Sequence, residues 1–218
     1  MLRVLIILVA LYCYPQSHVG VASERYSGFN GTAINPTSFI NSPIDQEINV
    51  FGIDFQFDSD YGFIKNSSYL EFPDNQLDTV PFLEIVKKIE NKIFEIKPER
   101  ILTHSNLDLN IDHRIVSQAV ITATRPIKKN PVREILFYEV LSSSEWNFGN
   151  KRFIPNYYID VSKQVKKKFR AFKCYRQEIE AFPHPRSIAG IETLMKYRGM
   201  ESGLKFAEAF YLVRLIIK

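Results

Sequence analysis

Ile101-Leu102-Thr103-His104-Ser105-Asn106-Leu107-Asp108-Leu109-Asn110-Ile111-Asp112-His113-Arg114 is the stretch on which the reading of this chain turns. Its apolar start suits a short interior strand, and the residues from Arg114 to Thr124 suit a helix, so the polar residues fall in a strand-to-helix turn. Open α/β sheets bind ligands at such carboxyl-end turns. His, Asp and Arg gathered there read as half of a metal site.

Outward from this turn the elements alternate. Pro81 to Ile96 places Phe82, Ile85, Val86, Ile89, Ile93 and Phe94 at three- and four-residue spacing, an amphipathic helix with Pro98 just beyond its end. Strand Arg100 to Thr103 follows. A helix from Asp112 to Thr124 sets Ile115, Val116, Ala119 and Val120 on its buried face, and Arg125-Pro126 stops it. Glu134 to Leu141 and Tyr157 to Val161 read as strands. Asp160 or Ser162 is placed to cap a helix running through Phe169, Phe172 and Ile179 to about Ala181. Pro183 and Pro185 impose a loop, Ser187 to Arg198 makes a further helix broken by Gly199 and Gly203, and Ala207 to Ile217 ends the chain as strand or helix. This order predicts a three-layer, Rossmann-like α/β fold with a mostly parallel sheet in a single domain.

The first 70 residues read differently. Val4 to Val9 is a continuous β-branched-rich run suited to a buried parallel strand. Val4 to Cys13 also has the length of a signal-peptide apolar region, with Val19-Gly20-Val21-Ala22 as a cleavage site. The strand is the preferred reading, and a cytoplasmic location goes with it; secretion is the alternative if residues 1–22 are a signal peptide. From Ser23 to about Leu70, Gly28, Gly31, Pro36 and Pro43 mark turns and loop, with short strands around Ile48 to Phe57.

Composition narrows the function. A chain of 218 residues holds one sizeable α/β core. The net charge of +4 is spread among acids, and Lys166-Lys167-Lys168 reads as a solvated helix face, so no nucleic-acid partner is expected. No apolar run is long enough to span a bilayer as a helix, so no integral membrane span is expected. Cys13 and Cys174 have no paired spacing and support neither a disulfide framework nor a Cys-ligated zinc site. No Gly-rich phosphate loop follows any expected strand.

Phe72-Pro73-Asp74-Asn75-Gln76-Leu77-Asp78-Thr79, then Thr103-His104 through Asp108-Leu109-Asn110-Ile111-Asp112-His113-Arg114, then Phe182-Pro183-His184-Pro185-Arg186-Ser187, then Arg198-Gly199 and Ala207-Glu208-Ala209-Phe210 stand in an order that resembles the PIG-L/LmbE-like N-deacetylases. The resemblance covers roughly residues 70 to 214. It divides the domain into a divergent or truncated part, residues 1–70, and a deacetylase-like region, residues 71–218. It implies zinc-dependent hydrolysis of the acetamide of an N-acetyl amino-sugar conjugate, linked to a lipid, nucleotide or thiol. Zinc lowers the pKa of a bound water, a carboxylate takes the proton, and the metal stabilises the oxyanion.

By resemblance His113 is the metal ligand that comes from the second motif. The other ligands and the base belong to an early His-Pro-Asp-Asp turn, and this chain has no such turn: its four histidines are at 18, 104, 113 and 184, and no Asp-Asp pair occurs. Either the chain begins late or is frame-shifted, with Val4 to Val9 being the family's second strand, or it is a degenerate relative. The zinc site is therefore incomplete.

The remaining candidates each have two roles. Asp112 is a catalytic candidate orienting a neighbouring group, or the cap of its helix. His184 is the proton-donor candidate, and Arg186 a clamp for a phosphate or carboxylate of the substrate, or both anchor their loop. His104 lines the pocket or holds the turn. Asn110 stands where better-studied relatives carry a His, and contacts substrate as an amide that cannot shuttle a proton. Asp74 meets a substrate hydroxyl or serves its turn. The functional expectation is a deacetylase inactive for want of ligands and base, or, alternatively, a non-catalytic α/β relative or fragment that binds sugar conjugates. A homo-oligomer is compatible with either.

Overall fold

The structure is a computed structural model that describes residues 4–8, 46–49, 67–70, 72–73, 75–127, 130–149, 152–173 and 178–217. Its strands are β1 (Val4–Leu8), β2 (Gln46–Asn49), β3 (Ser67–Tyr69), β4 (Arg100–His104), β5 (Glu134–Tyr138), β6 (Tyr157–Asp160) and β7 (Ala207–Leu215). Among the described residues the helices are α1 (Phe82–Ile96), α2 (Ile111–Ala123), α3 (Val165–Lys173) and α4 (Ile188–Ser202). The strands form one seven-stranded sheet in the order β3-β2-β1-β4-β5-β7-β6. β1 to β5 are parallel, while β7 runs antiparallel to both β5 and β6.

That order determines where a site can lie. The chain winds outward from β1 through β2 to β3, then returns to place β4 on the other side of β1, so the crevice opens at the carboxyl ends of β1 and β4. Val4 pairs with Arg100 and Ile6 with Leu102, and the same register brings the end of β1 level with His104. Val4–Leu8 thus holds the first strand's central place. The strand reading holds for it.

Alternation along β4 and β5 builds the two faces. Ile101, Ile135 and Phe137 pack with the buried stripe of α1 and with Val116, Ala119 and Val120 of α2. Leu102, Leu136 and Tyr138 face the other way, toward Phe210, and beyond them Phe172 of α3 packs with Ile191 and Met195 of α4. Each fully buried Ile or Leu contributes about 1.5–3 kcal/mol, so α1 is held mainly by its stripe of Ile85, Val86, Ile89, Ile93 and Ile96.

Several expectations need correction. Phe82 and Phe94 are 41% and 40% exposed, because Phe82 lies beyond the packed surface and Phe94 on the flank of the stripe. The strand at residue 134 ends at Tyr138, short of Leu141, where Val140 begins a turn closed by Ser143 and Ser144. The helix expected to reach Ala181 is α3, and residues 178–181 are not helical. Lys168 is buried against Glu208, so the lysine run is not wholly a solvated face. Gly199 does not break its helix: α4 continues to Ser202, and a Cβ at 199 would lie 2.5 Å from the Leu204 carbonyl oxygen. The break is at Gly203, left-handed at φ 73°. The chain's last element, open between strand and helix, is the strand β7.

Candidate functional site

The turn from β4 into α2 folds around one carboxylate. Asp108 is fully buried and accepts from four directions: the Asn110 N–H at 3.0 Å, the His113 ring at 2.9 Å, the Ser144 hydroxyl at 2.6 Å, and the Ser143 hydroxyl. Burial pushes its carboxyl toward a higher pKa, but the His113 ring and the two hydroxyls overcome it and hold Asp108 well below the ordinary carboxylate range. Ser143 and Ser144 follow β5, which pairs with β4 through Thr103↔Phe137 and His104↔Tyr138. The sheet register is what delivers them.

Asn110 caps α2. Its Oδ1 accepts from Asp112 N at 2.8 Å and His113 N at 3.3 Å, and its Nδ2 donates to Asn75 Oδ1 at 3.1 Å. Asp112 is therefore not the cap. It lies in the first helical turn, where its Oδ1 accepts the Leu77 N–H at 3.1 Å. Burial raises its pKa, against the opposing pull of that N–H and of His113.

The two histidines of the turn stack, with ring centroids 4.0 Å apart and planes at 14°. His104 is also 5.0 Å from the Tyr138 ring. Burial, then the neighbouring His113, drive the His104 pKa well below its ordinary value, with Asp108 opposing, so the ring is neutral at physiological pH. Four buried atoms here have no hydrogen-bond partner among the described residues: both His104 nitrogens, His113 Nε2 and Asp112 Oδ2. Buried polar atoms are ordinarily satisfied, so this cluster is the candidate site among the described residues.

His113 Nδ1 is tied to Asp108, which leaves Nε2 as its buried nitrogen without a partner among the described residues, the arrangement of an imidazole whose second nitrogen is oriented by a carboxylate. A catalytic zinc takes three protein ligands. The described residues hold no group of three or more His, Cys, Asp or Glu able to share a metal. After β1 the sequence runs Val9-Ala10-Leu11-Tyr12-Cys13-Tyr14-Pro15-Gln16, with neither imidazole nor carboxylate. Among the described residues, His113 and its neighbours do not by themselves complete a zinc site.

The second loop stands apart. His184 packs edge-on against Trp146, centroids 5.5 Å apart, and its Nδ1 accepts the Arg186 N–H at 3.1 Å. Arg186 is buried and ion-paired with Glu178, the anchoring role. His104, Asn110, Asp112 and His113 are thus brought together, while His184 packs on Trp146, which follows the Ser143 and Ser144 that bond Asp108. Asp74 lies outside the described residues, as do Cys13, His18 and Cys174. Reasoning from sequence missed Asp108 as the organising carboxylate, although it lies within the same turn, and missed Ser143, Ser144 and Trp146.

A doubly wound α/β sheet with a His- and Asp-rich turn at its switch point is the class that this fold and site define. Within it, the chain resembles the PIG-L/LmbE-like N-deacetylases: residues 50–124, about a third of the chain, match the family described as PIG-L: GlcNAc-PI de-N-acetylase. No curated protein sequence matches. Among solved structures, the conserved protein TT1542 from Thermus thermophilus aligns at TM-score 0.65 and 18% identity, over 100% of this chain and 97% of that one. N,N'-diacetylchitobiose deacetylase from Pyrococcus horikoshii aligns at 0.62 and 14%, over 97% and 84%. GalB, the 4-carboxy-2-hydroxymuconate hydratase of Pseudomonas putida, aligns at 0.63 and 14%, over 100% and 98%. These likenesses establish the fold, and the hydratase among them shows that the fold carries more than one chemistry. No helix among the described residues is long and apolar enough to cross a membrane.

Proposed function

We propose that this chain is an N-deacetylase of the PIG-L type, acting on the acetamide of an N-acetyl amino-sugar conjugate joined to a lipid, nucleotide or thiol. The observation that carries the reading is the cluster of unpartnered buried atoms on His104, Asp112 and His113, lying where the family match falls. Family members would bring zinc to such a site; here the chain's own residues supply proton handling. Asp108 orients His113 so that Nε2 is available to take a proton from water as its oxygen bonds to the acetamide carbon. The same proton then passes to the departing amine as the C–N bond breaks, giving acetate and the free amino sugar.

The test is acetate release from N-acetylglucosamine conjugates by the full chain, with zinc per chain measured on the same sample. Activity that His113→Ala abolishes is expected, and a folded protein that releases no acetate would defeat the proposal. One observation favours a second reading, a non-catalytic sugar-conjugate binder: the lack of the early ligands and base. Conjugate binding that a chelator leaves unchanged, with no acetate released, would support it.

A further inference from the structure

The turn that completes the Asp108 environment carries a side chain unused by the proton chemistry. Ser144–Trp146 is a 3-10 turn clamped on both flanks to the loop after β4. On one side the Ser143 and Ser144 hydroxyls donate to Asp108; on the other, Asn147 Nδ2 donates to the Leu107 carbonyl at 2.6 Å. Trp146 therefore lies between neighbours bonded to Asp108 and to the Leu107 carbonyl, half-buried rather than enclosed.

Its partner ring is equally constrained. His184 meets the indole at 85°, and because its Nδ1 accepts from the Arg186 N–H, the neutral ring carries its proton on Nε2. Arg186 is in turn fixed by Glu178. Burial, then the Arg186 charge, lower the His184 pKa, so at neutral pH the ring is a hydrogen-bond donor rather than a proton reservoir.

We propose that Trp146 and His184 form a subsite for the pyranose ring of an N-acetylated amino sugar, the indole taking the ring's C–H face and His184 Nε2–H donating to a ring hydroxyl. This rests on the deacetylase-type reading above. A pyranose presents C–H bonds polarised by the adjacent oxygens, and these are drawn to the negative face of an aromatic ring. Its hydroxyls need placed polar partners, and a small number of such groups beside an apolar wall is how ligand sites orient what they hold. An indole whose chain neighbours bond Asp108 and the Leu107 carbonyl supplies the wall.

Trp146 is the chain's sole tryptophan, so its emission reports this one position. The full chain is titrated with N,N'-diacetylchitobiose, following emission and binding heat in parallel. Both signals are expected to saturate at the same concentration. Trp146→Ala should weaken binding about tenfold, with Trp146→Phe within about threefold of the parent. His184→Gln, which keeps an N–H near Nε2, should lose less than His184→Ala, about fivefold. Circular dichroism verifies that each variant folds, and the emission titration needs no variant at all. Heat that saturates while emission stays still, or Trp146→Ala binding as the parent does, overturns the subsite and leaves the deacetylase-type reading standing. No binding by either signal also overturns the subsite, while the deacetylase-type reading is judged by acetate release.

Discussion

Two buried polar clusters lie at the carboxyl end of the central strands, and they are completed in opposite ways. On the α3 and α4 side, Arg198 grips Glu139 through two bonds, 2.7 and 2.6 Å, and Glu201 through a third at 2.8 Å, while Lys168 pairs with Glu208. Apart from one oxygen of Glu208, those charges are answered within the chain. On the α2 side, Asp108 is satisfied but His104, His113 and Asp112 keep atoms with no partner among the described residues. Burial alone does not distinguish the two clusters; the number of unanswered atoms among the described residues, four against one, does.

The sharpest way to break this comparison is to leave the first cluster unanswered. Arg198→Met removes the one cation that, among the described residues, bonds the largely buried Glu139, and stranding one member of a buried pair costs about 3–5 kcal/mol. Urea denaturation should show that loss, with Glu139→Gln added to it recovering a part, because coupled residues are not additive. Diacetylchitobiose binding by the folded protein should stay as it was. A loss of binding equal to that of Trp146→Ala would place Arg198 in the site and dissolve the distinction.

Acid pH separates two groups within the second cluster. The His104 pKa is lowered on folding, so below its ordinary 6.5 the unfolded chain takes a proton that the buried ring refuses, and stability falls as pH drops. The groups facing it are His113, Asp108 and Tyr138. Asp108 is depressed on folding, so its contribution is complete above its ordinary 3.8 and is lost as pH falls below that toward the folded value. Urea midpoints measured from pH 8 to pH 3 should fall more gently for His104→Gln below about 6.5, and for Asp108→Asn only below about 4, with slopes of up to about 1.4 kcal/mol per pH unit for each group. Parallel curves for parent and variants would show that neither ring nor carboxylate titrates as its surroundings dictate.

The helices and the central strands are legible because each writes its burial locally, in three- and four-residue spacing or in a short apolar run. His104, Asp112 and His113 are legible as a group because one turn carries them. Ser143, Ser144 and Trp146 are not, since only the pairing of β4 with β5 brings residues some 35 positions away onto Asp108. Lys168 misleads for the same reason: its run of three reads as solvated until Glu208 on β7 arrives across the core. Asn110 reads as a substrate contact, while its backbone role, two N–H groups at the start of α2, is written in a preference that Asn shares with Ser and Asp.

The smallest effect tests whether that capping role is the whole of what Asn110 does. Asn110→Ala removes an acceptor from Asp112 N and His113 N and a bond to Asn75, and losing such a cap costs about 1 kcal/mol, or about 2–4 °C in Tm for a chain of this size. Asn110→Ser restores the cap with a shorter side chain that keeps the acceptor and gives up the amide donor. Stability should return with Ser, and diacetylchitobiose binding should return with it, because His113 and Asp112 are aimed by the first turn of α2. Stability that returns while binding does not would mean that the amide itself meets the ligand, and Asn110 would then join the atoms left open for a partner rather than those that hold the turn.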